Sequence, residues 1–597
     1  METNNYFIKK VVNKYMAPTI GAILGTTVVG FINNLLTGAF WGKDALAAAG
    51  VVSSFTFLFA MVGCLICIGG AVAGSICIGE GDNERYMKYA YISLVLTLVI
   101  SIILAVVLTV FLHPIFISLG ASEKLYSTAL VYARITLLCG PFSALIYYPF
   151  NFLRIDGRAN LSMIMIVIMA VVDIILDIIF INLHVGIWGI ALSIAIASLA
   201  ADIVGIYILF KGRGSEIRLV RASIKETLSS FRWIAYYGSS SALTNFCSVI
   251  RTLAINAILL KYVGQDAVAI FAVIGSIITF ANASISGSGQ TITPLVGVFF
   301  GEKDYPSIRM LINTTIKSAM IIHVGLAVAL IILAYPISYL FGIKDALLAA
   351  ECAYAIRLIS VSFIPAAYLS IYIYYYMTAA KSVLSNLLTF LRSFLLVVIF
   401  AKIIVAFGGA ELFYLAFIFA ELMDILVLVL IAKIRQYKNP DIQGLLYINK
   451  KDLENGEYLS FSVRSDDSGA SEASSKIADF CEEHCRDLSI ATTLPMALEE
   501  ILVIFNNHAL DGIKDAYEDV RIFINDESAV LRIRCDGTVF DPIRWYRDKI
   551  KNMSPEDLLM DESLGMKMIT KKAKSIDYLR TFGVNNLVIE IESASNA

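Results

Sequence analysis

The chain has 597 residues, of which 58% are hydrophobic and 16% charged, and its formal net charge is −2. A mean hydropathy of +0.75 excludes a single soluble globule, because soluble domains contain about 25% charged residues. The sequence shows no basic, aromatic pattern that would indicate nucleic acid as a partner. The apolar residues concentrate in the first three quarters of the chain, so we expect an all-α polytopic membrane protein with a soluble tail.

Apolar stretches of about 20 residues, enough to cross roughly 30 Å of hydrocarbon, predict twelve transmembrane helices. Lys and Arg collect in alternate connections, which predicts that both termini lie in the cytoplasm. The first apolar run is too long for a cleavable signal peptide, so we expect a multi-pass protein of the plasma membrane. The predicted spans are 14–40, 49–79, 89–112, 125–153, 160–183, 187–210, 233–261, 266–300, 311–341, 350–379, 384–407 and 411–433.

The membrane part repeats itself at one fixed offset. Residues recur 222 positions later (256−34, 266−44, 301−79): Asn34 as Asn256, Asp44-Ala45 as Asp266-Ala267, and Gly79-Glu80 as Gly301-Glu302. A repeat this long predicts two parallel six-helix lobes, 1–210 and 233–435, joined by a basic cytoplasmic linker at 211–232. Two bundles that rock about a shared site usually transport solutes.

Two acidic residues of the fifth predicted span are the best candidates for an ion site. Asp173 and Asp177 are four residues apart, so they share one helix face and raise each other's proton affinity. Burying an ionised carboxylate in the membrane costs several kcal/mol unless it faces a water-filled cavity or pairs with another group. The pair could therefore hold one proton or one cation. The alternative is that they only bond Asn182, a hydroxyl or a backbone amide.

Three other acids fall within or near predicted spans. Asp202 lies in the sixth span, and Glu421 and Asp424 lie three residues apart in the twelfth. Each could also be interfacial. Tyrosine rings could shelter an organic cation in a drug-sized pocket, with a lipid-facing position as the alternative: Tyr147, Tyr148, Tyr368, Tyr372, Tyr374, Tyr375 and Tyr376.

The nine cysteines do not predict a metal or redox site. Cys64 and Cys67 have redox-motif spacing but lie in an uncharged span, where small residues serve helix packing. Cys481, His484 and Cys485 lack a fourth ligand and fit an amphipathic helix.

Residues 10–435 resemble the multidrug and toxic compound extrusion (MATE) family, nearer its DinF-like branch. The resemblance implies two six-helix lobes, alternating access, and export of organic cations against protons or sodium ions. It rests on these motifs: Asp44-Ala-Leu-Ala-Ala, Arg154-Ile-Asp-Gly-Arg-Ala-Asn160, Asp173-Ile-Ile-Leu-Asp177, Gly186-Ile-Trp-Gly-Ile-Ala191, and Gly289-Gln290 with Pro294.

One position departs from that family. Asn33 stands where DinF-like members have an Asp in the first span, and an amide does not take up a proton near neutral pH. Either ion coupling has moved to Asp177, or the protein no longer works as an ordinary proton antiporter. We favour the first interpretation. Sodium stays an alternative, because amide carbonyls are ligands for hard cations. The candidate transport residues are Asp177, Asp173, Asn33, Asn34, Asn256, Gln290 and Glu421.

After a linker at 436–457, residues 458–597 predict a cytoplasmic α/β sandwich. Strands are expected at 458–464, 519–525, 529–535, 575–582 and 586–592, and helices at 470–488, 493–510 and 564–574. Alternation such as Val520-Arg-Ile-Phe-Ile-Asn525 indicates half-buried strands covered by helices on one face.

The tail resembles the histidine-kinase-like ATPase fold of anti-sigma factors. The resemblance assigns the general base to Glu500 and the conserved glycines of that fold to Gly537 and Gly565. Three other positions depart from the fold's pattern: Ile504 replaces the Mg²⁺-binding Asn, Cys535 the adenine-reading Asp, and Ser563 a phosphate-binding Gly. The alternative is that Asn507 or Asp536 compensates through a shifted geometry. We therefore expect a degenerate domain without ATPase or kinase activity, which binds a protein partner or biases the lobes.

These observations predict a transporter that is not an enzyme: an antiporter exporting organic, cationic small molecules in exchange for protons or sodium ions. No metal and no firm cofactor are expected. The alternative is a membrane-bound signalling regulator, with a transporter-like body as receptor and the tail as output.

Overall fold

The computed structural model describes residues 6–114, 123–212, 217–341, 343, 345–408, 412–449, 456–485, 487–513, 516–525, 528–552 and 564–592. The chain forms two compact units. The sheet unit comprises Met1–Val11, Tyr305–Met310 and Arg435–Ala597, and the helical unit comprises Val12–Asp304 and Leu311–Ile434.

Long apolar helices make up the chain as far as Lys438. The first is broken at Gly42, whose φ of 78° and ψ of −168° interrupt the helix. Two π-helical turns, Cys64–Ile68 and Leu391–Leu395, continue into regular helix. The helices are α1 Tyr6–Gly63, α2 Gly69–Gly79, α3 Asn83–Val110, α4 Glu123–Leu145, α5 Tyr147–Ile155, α6 Ala159–Asn182, α7 Trp188–Lys211, α8 Ile224–Tyr262, α9 Gln265–Gly301, α10 Tyr305–Ile332, α11 Ala334–Leu340, α12 Ala346–Thr378, α13 Ser382–Phe390, α14 Leu396–Gly408 and α15 Leu415–Lys438.

Within the described residues, 13 helices are long and apolar enough to cross a membrane. Twelve of them (13 − 1) lie between Phe7 and Lys438, where the sequence predicts spans. The other, Leu488–His508, belongs to the core of the sheet unit, where its apolar side chains pack against strands. The polytopic helical character is thus confirmed, and the number of helices that cross the bilayer stays a prediction.

The sheet unit contains an antiparallel five-stranded sheet. Its strands, in spatial order, are Glu457–Arg464 (β3), Tyr517–Ile524 (β4), Ser528–Cys535 (β5), Val584–Glu592 (β7) and Ser575–Thr581 (β6). Its helix after β5, Pro542–Asn552, was not predicted from the sequence. A short antiparallel ladder, β1 with β2, precedes the sheet. The elements are β1 Ile442–Gln443, β2 Ile448–Asn449, β3 Glu457–Arg464, α16 Asp467–His484, α17 Leu488–His508, β4 Tyr517–Ile524, β5 Ser528–Cys535, α18 Pro542–Asn552, α19 Leu564–Lys572, β6 Ser575–Thr581 and β7 Val584–Glu592.

The two faces of this sheet differ in character. Val520 and Ile522 of β4, with Leu531 and Ile533 of β5, point to the helices and form a dry core. The alternate residues form the opposite face, because side chains alternate along a strand. There Arg521 and its neighbours are polar and yet buried.

Two chain segments of the sheet unit contact that polar face. Arg521 donates a hydrogen bond to the Ser307 hydroxyl, at the first turn of α10. The Arg534 guanidinium lies 5.4 Å from the centre of the Phe7 ring, at the start of α1. Lys10 forms a 2.9 Å ion pair with Asp536. The sheet unit therefore includes the first residues of two apolar helices.

Candidate functional site

Asp173 and Asp177 lie one turn apart on the buried face of α6, as their spacing predicts. Their side chains are 1% and 0% exposed. The Asn33 amide nitrogen of α1 donates to Asp173 Oδ2 at 2.9 Å. The Ser193 hydroxyl of α7 donates to Asp177 Oδ1. Three helices thus converge on the carboxylate pair, and Ser193 is a member that the sequence analysis missed.

One oxygen of each of the Asn33, Asp173 and Asp177 side chains has no hydrogen-bond partner among the described residues. These oxygens are Asn33 Oδ1, Asp173 Oδ1 and Asp177 Oδ2. Unpaired buried oxygens are costly unless a proton or cation compensates them. The cluster has the chemistry to bind a proton or a hard cation. Across the residues that the structure describes, no group of three or more His, Cys, Asp or Glu side chains could hold a metal ion.

The other predicted transport residues are spread over the helical unit. Asn34 is exposed, because consecutive residues of a helix point about 100° apart, so it does not join the cluster on the buried side of α1. Asn256 is half-buried in α8. Glu421 of α15 accepts a hydrogen bond from Arg392 Nε at 2.9 Å and forms an ion pair with it. The predicted set is therefore one cluster and several separate positions.

Gln290 borders a cavity of about 220 Å³ in the helical unit. Its side-chain amide donates to the Tyr374 hydroxyl at 3.3 Å, and its backbone carbonyl accepts from Arg154. The described lining residues combine aromatic rings with hydroxyl and amide groups and include no carboxylate. Residues from both halves of the repeat contribute to it: Ala22, Ile23, Thr26, Cys64, Ile68, Ile146, Tyr147, Phe150, Ile166, Ser241, Thr244, Asn245, Ser286, Gln290 and Tyr374.

Two of the predicted pocket tyrosines, Tyr147 and Tyr374, line this cavity. Tyr148, Tyr375 and Tyr376 are at most 1% exposed and do not line it. A ring-lined cavity with neutral polar groups suits flat or lipophilic organic molecules. Of the predicted set, Tyr147 and Tyr374 thus line this cavity, and a role in binding stays a prediction.

A family model described as MatE matches residues 18–179 and again residues 240–404. The two matches begin 222 positions apart (240 − 18), which is the offset of the sequence repeat. Together they cover more than half of the 597 residues. The chain belongs to the MatE family. The predicted MATE resemblance is thereby confirmed, and the DinF-like branch stays a prediction.

Among curated proteins, this MatE chain is similar to the multidrug export protein MepA of Staphylococcus haemolyticus (strain JCSC1435). The two are 24% identical over 282 residues, 47% of this chain and 62% of MepA. The matched segment thus spans less than two thirds of that relative.

Solved structures share the helical fold at low sequence identity. A MATE protein in complex with MaL6 has a TM-score of 0.67 and 22% identity, over 72% of this chain and 97% of the other. A multidrug resistance MATE transporter of the MOP superfamily in an outward-facing conformation gives 0.67 and 22%, over 72% and 96%. A MOP superfamily transporter from Pyrococcus furiosus Vc1 (DSM3638), whose binding pocket is described as having reverse polarity, gives 0.67 and 21%, over 72% and 96%.

In the tail, the residues assigned to nucleotide chemistry make internal contacts. Glu500 Oε2 accepts the backbone N–H of Met566, at the start of α19, at 2.9 Å. A side chain at Gly565 would come within 2.7 Å of that oxygen, and one at Gly537 within 2.2 Å of the Ala509 carbonyl. The Glu500 carboxylate thus binds a backbone amide of the helix start that the resemblance assigns to phosphate.

Two of the three positions that depart from the ATPase resemblance lie in the apolar core of the sheet unit. Ile504 is 8% exposed and Cys535 is 1% exposed, and both belong to the core under the sheet. Ser563 lies outside the described residues. Neither Ile504 nor Cys535 offers an oxygen to Mg²⁺ or adenine.

Proposed function

We propose that this protein is a secondary active exporter of small organic molecules, driven by protons or sodium ions entering in exchange. The observation that carries the proposal is the buried Asp173–Asp177 pair with its Asn33 and Ser193 donors. Membership of the MatE family and similarity to a multidrug export protein support export. Family membership does not favour the alternative, a membrane-bound signalling regulator.

The coupling ion is proposed to bind between Asp173 and Asp177. Ser193 and Asn33 each stabilise one carboxylate oxygen, so the other oxygen of each acid is left to the ion. Asn33 cannot itself exchange a proton near neutral pH. Proton uptake therefore falls to the two acids, and Asn33 orients Asp173.

The substrate is proposed to be an amphiphilic organic molecule, with organic cations as the first class to test. The Tyr147, Phe150 and Tyr374 rings offer π faces to a delocalised cation. Gln290, Asn245 and the lining hydroxyls offer hydrogen bonds without a full charge. Recognition by rings and neutral groups tolerates many shapes, which suits a multidrug exporter.

The tail is proposed to regulate transport and not to hydrolyse ATP. It holds Phe7 and Ser307, at the starts of helices that belong to different halves of the repeat. A domain that contacts both starts favours one arrangement of the two halves, and such differential contacts shift a conformational equilibrium. A protein partner of the tail would act by changing those contacts.

The test is efflux of a fluorescent organic cation from proteoliposomes of the full chain under imposed proton or sodium gradients. Efflux that follows one gradient supports the proposal and identifies the ion. A neutral and an anionic dye of similar size, measured in parallel, define the substrate class. Efflux of none of the three under either gradient would contradict the proposal.

A further inference from the structure

Two buried acids outside the proposed coupling site occupy the same position in the two halves of the repeat. Asp202 lies in α7 and Asp424 in α15, and their numbers differ by 222 (424 − 202). Each lies nine residues before a lysine near the end of its helix, Lys211 and Lys433 (211 − 202, 433 − 424). At 1.5 Å per residue, both acids lie about 13 Å along the helix from that basic end.

Both acids are shielded from water. Asp202 is 1% exposed and Asp424 is 0% exposed. One helical turn earlier, Ser198 and Ala420, also 222 residues apart (420 − 198), are buried on the same stripe. In both halves of the repeat, the equivalent helix face is therefore buried, and it carries an acid at the same position along the helix.

Neither acid has a hydrogen-bond partner among the described residues. All four oxygens, Oδ1 and Oδ2 of Asp202 and of Asp424, lack a donor. An ionised carboxylate without a donor at this depth costs several kcal/mol or more, and protonation removes that cost. Burial without a donor therefore favours the neutral, protonated form of each acid over the ionised form.

The surroundings of the two acids differ. Cys67 is the titratable group near Asp202, and its thiol lies 3.2 Å from the Thr97 hydroxyl. Glu421 and Arg392, themselves paired, are near Asp424, and Arg251 is near that pair. Among the described residues, no charged side chain is near Asp202, whereas Asp424 lies near an ion pair whose two charges act on it in opposite directions.

We propose that Asp202 and Asp424 are repeat-related proton-binding sites, separate from Asp173 and Asp177, that release their protons when the transport cycle admits water to them. The inference rests on the proposed exporter function. It adds one proton position in each half of the repeat, so proton movement is not confined to the half that contains Asp173.

The test compares full-length wild type, Asp202→Asn, Asp424→Asn and the exposed-acid control Glu351→Gln in proteoliposomes. The first readout is the infrared C=O band of protonated carboxylic acids near neutral pH. Each Asp→Asn variant should lose part of the band, and Glu351→Gln should keep it. The second is dye efflux under a proton gradient, which should fall on the order of tenfold in each Asp→Asn variant and recover in Asp202→Glu.

The two proposals fail in distinguishable ways. A wild type without gradient-driven efflux contradicts the exporter function, and the infrared band still decides whether the two acids hold protons. An unchanged band in both Asp→Asn variants overturns the inference. Wild-type efflux rates in both variants, with the wild type active, also overturn it. Thermal unfolding checks that each variant is folded, and the neutral Asn closely matches a protonated Asp in size.

Discussion

Gly79 and Gly301, which are 222 residues apart in the chain, pack directly against each other. A Cβ on Gly79 would lie 2.1 Å from the Val298 carbonyl oxygen, and one on Gly301 would lie 2.2 Å from the Ile76 carbonyl oxygen. The contact is reciprocal, since each glycine faces the helix turn that carries the other. The repeat detected in the sequence is thus also a pairing of equivalent residues in space.

The first prediction concerns this glycine pair. Gly79→Ala should destabilise the helical unit, because no side-chain motion can relieve a clash with backbone, and overpacking typically costs about 1–3 kcal/mol. The measurement is thermal unfolding in detergent. Gly325→Ala is the matched control, because Gly325 lies in α10 with nothing within 4 Å of its Cβ position. Equal melting temperatures for the two variants would contradict the close contact.

The second prediction concerns the coupling site. Asp177→Asn should abolish gradient-driven efflux, because an amide cannot exchange the proton or offer the charge that the ion needs. Ser193→Ala should reduce efflux on the order of tenfold, since it removes one charge-assisted hydrogen bond worth about 1.5–3 kcal/mol. Substrate binding, followed by dye fluorescence without a gradient, should persist in both variants.

Asn34→Ala is the control for the coupling-site variants. Asn34 neighbours Asn33 in α1 but is exposed, so it does not belong to the cluster. Its efflux rate should equal that of the wild type. A loss in Asn34→Ala as large as in Asp177→Asn would place the ion elsewhere.

How much of this site the sequence predicts depends on how far apart the contacting residues are in the chain. The spacing of Asp173 and Asp177 alone placed both on one face, because neighbours four apart share a helix face. The Asn33–Asp173 bond joins residues 140 positions apart, and helix periodicity carries no information about such contacts. For the same reason Ser193 was missed, and Asn34 was included although it is exposed.

The tail shows a second limit of sequence reasoning. Alternating apolar residues predicted the five strands, since a half-buried strand repeats every second residue. The burial of Arg521 on the opposite face was not predictable, because it depends on segments far away in the chain. Helix α18 was missed because its residues are mostly polar and lack a long apolar run.

The third prediction concerns the cavity. Tyr374→Phe keeps the ring and removes the hydroxyl that accepts from Gln290. Affinity for a hydrogen-bonding dye should fall about 2- to 10-fold, the effect of about 0.5–1.5 kcal/mol, with little change for a purely apolar cation. Tyr368→Phe is the matched control, because Tyr368 does not line the cavity. Equal losses for both variants would exclude Tyr374 from the binding site.

The fourth prediction concerns regulation by the tail. Arg521→Ala removes the hydrogen bond to Ser307, so amide hydrogen exchange in Tyr305–Met310 should rise. Efflux should become faster by a factor on the order of five, because the two helix starts are then less restrained. Arg544→Ala, whose side chain is 82% exposed, should change neither quantity. Unchanged efflux in Arg521→Ala would show that the contact between Arg521 and Ser307 does not regulate transport.

The fifth prediction concerns a buried acid of the tail. Glu518 of β4 is 0% exposed, and neither of its carboxylate oxygens has a partner among the described residues. Its cross-strand neighbour is Cys535, on the same face of the sheet. Burial raises the pKa of Glu518 well above its ordinary value, because the ionised form is poorly solvated there.

The sign of the pH dependence follows from this raised pKa of Glu518. Between the unfolded pKa of about 4.3 and the higher folded pKa, the folded state binds more protons than the unfolded state. Stability contributed by Glu518 is therefore complete below the unfolded pKa and is lost as the pH rises towards the folded pKa. The slope is at most about 1.4 kcal/mol per pH unit.

Glu518→Gln should remove this dependence, because the amide stays neutral at every pH. We expect the melting transition of the sheet unit to be higher in the variant than in the wild type at about pH 8, and the difference to shrink towards about pH 5. Glu482→Gln, at an exposed position of α16, is the control and should follow the wild type. A variant that is less stable than the wild type at the higher pH would show that Glu518 is ionised and paired in the folded protein.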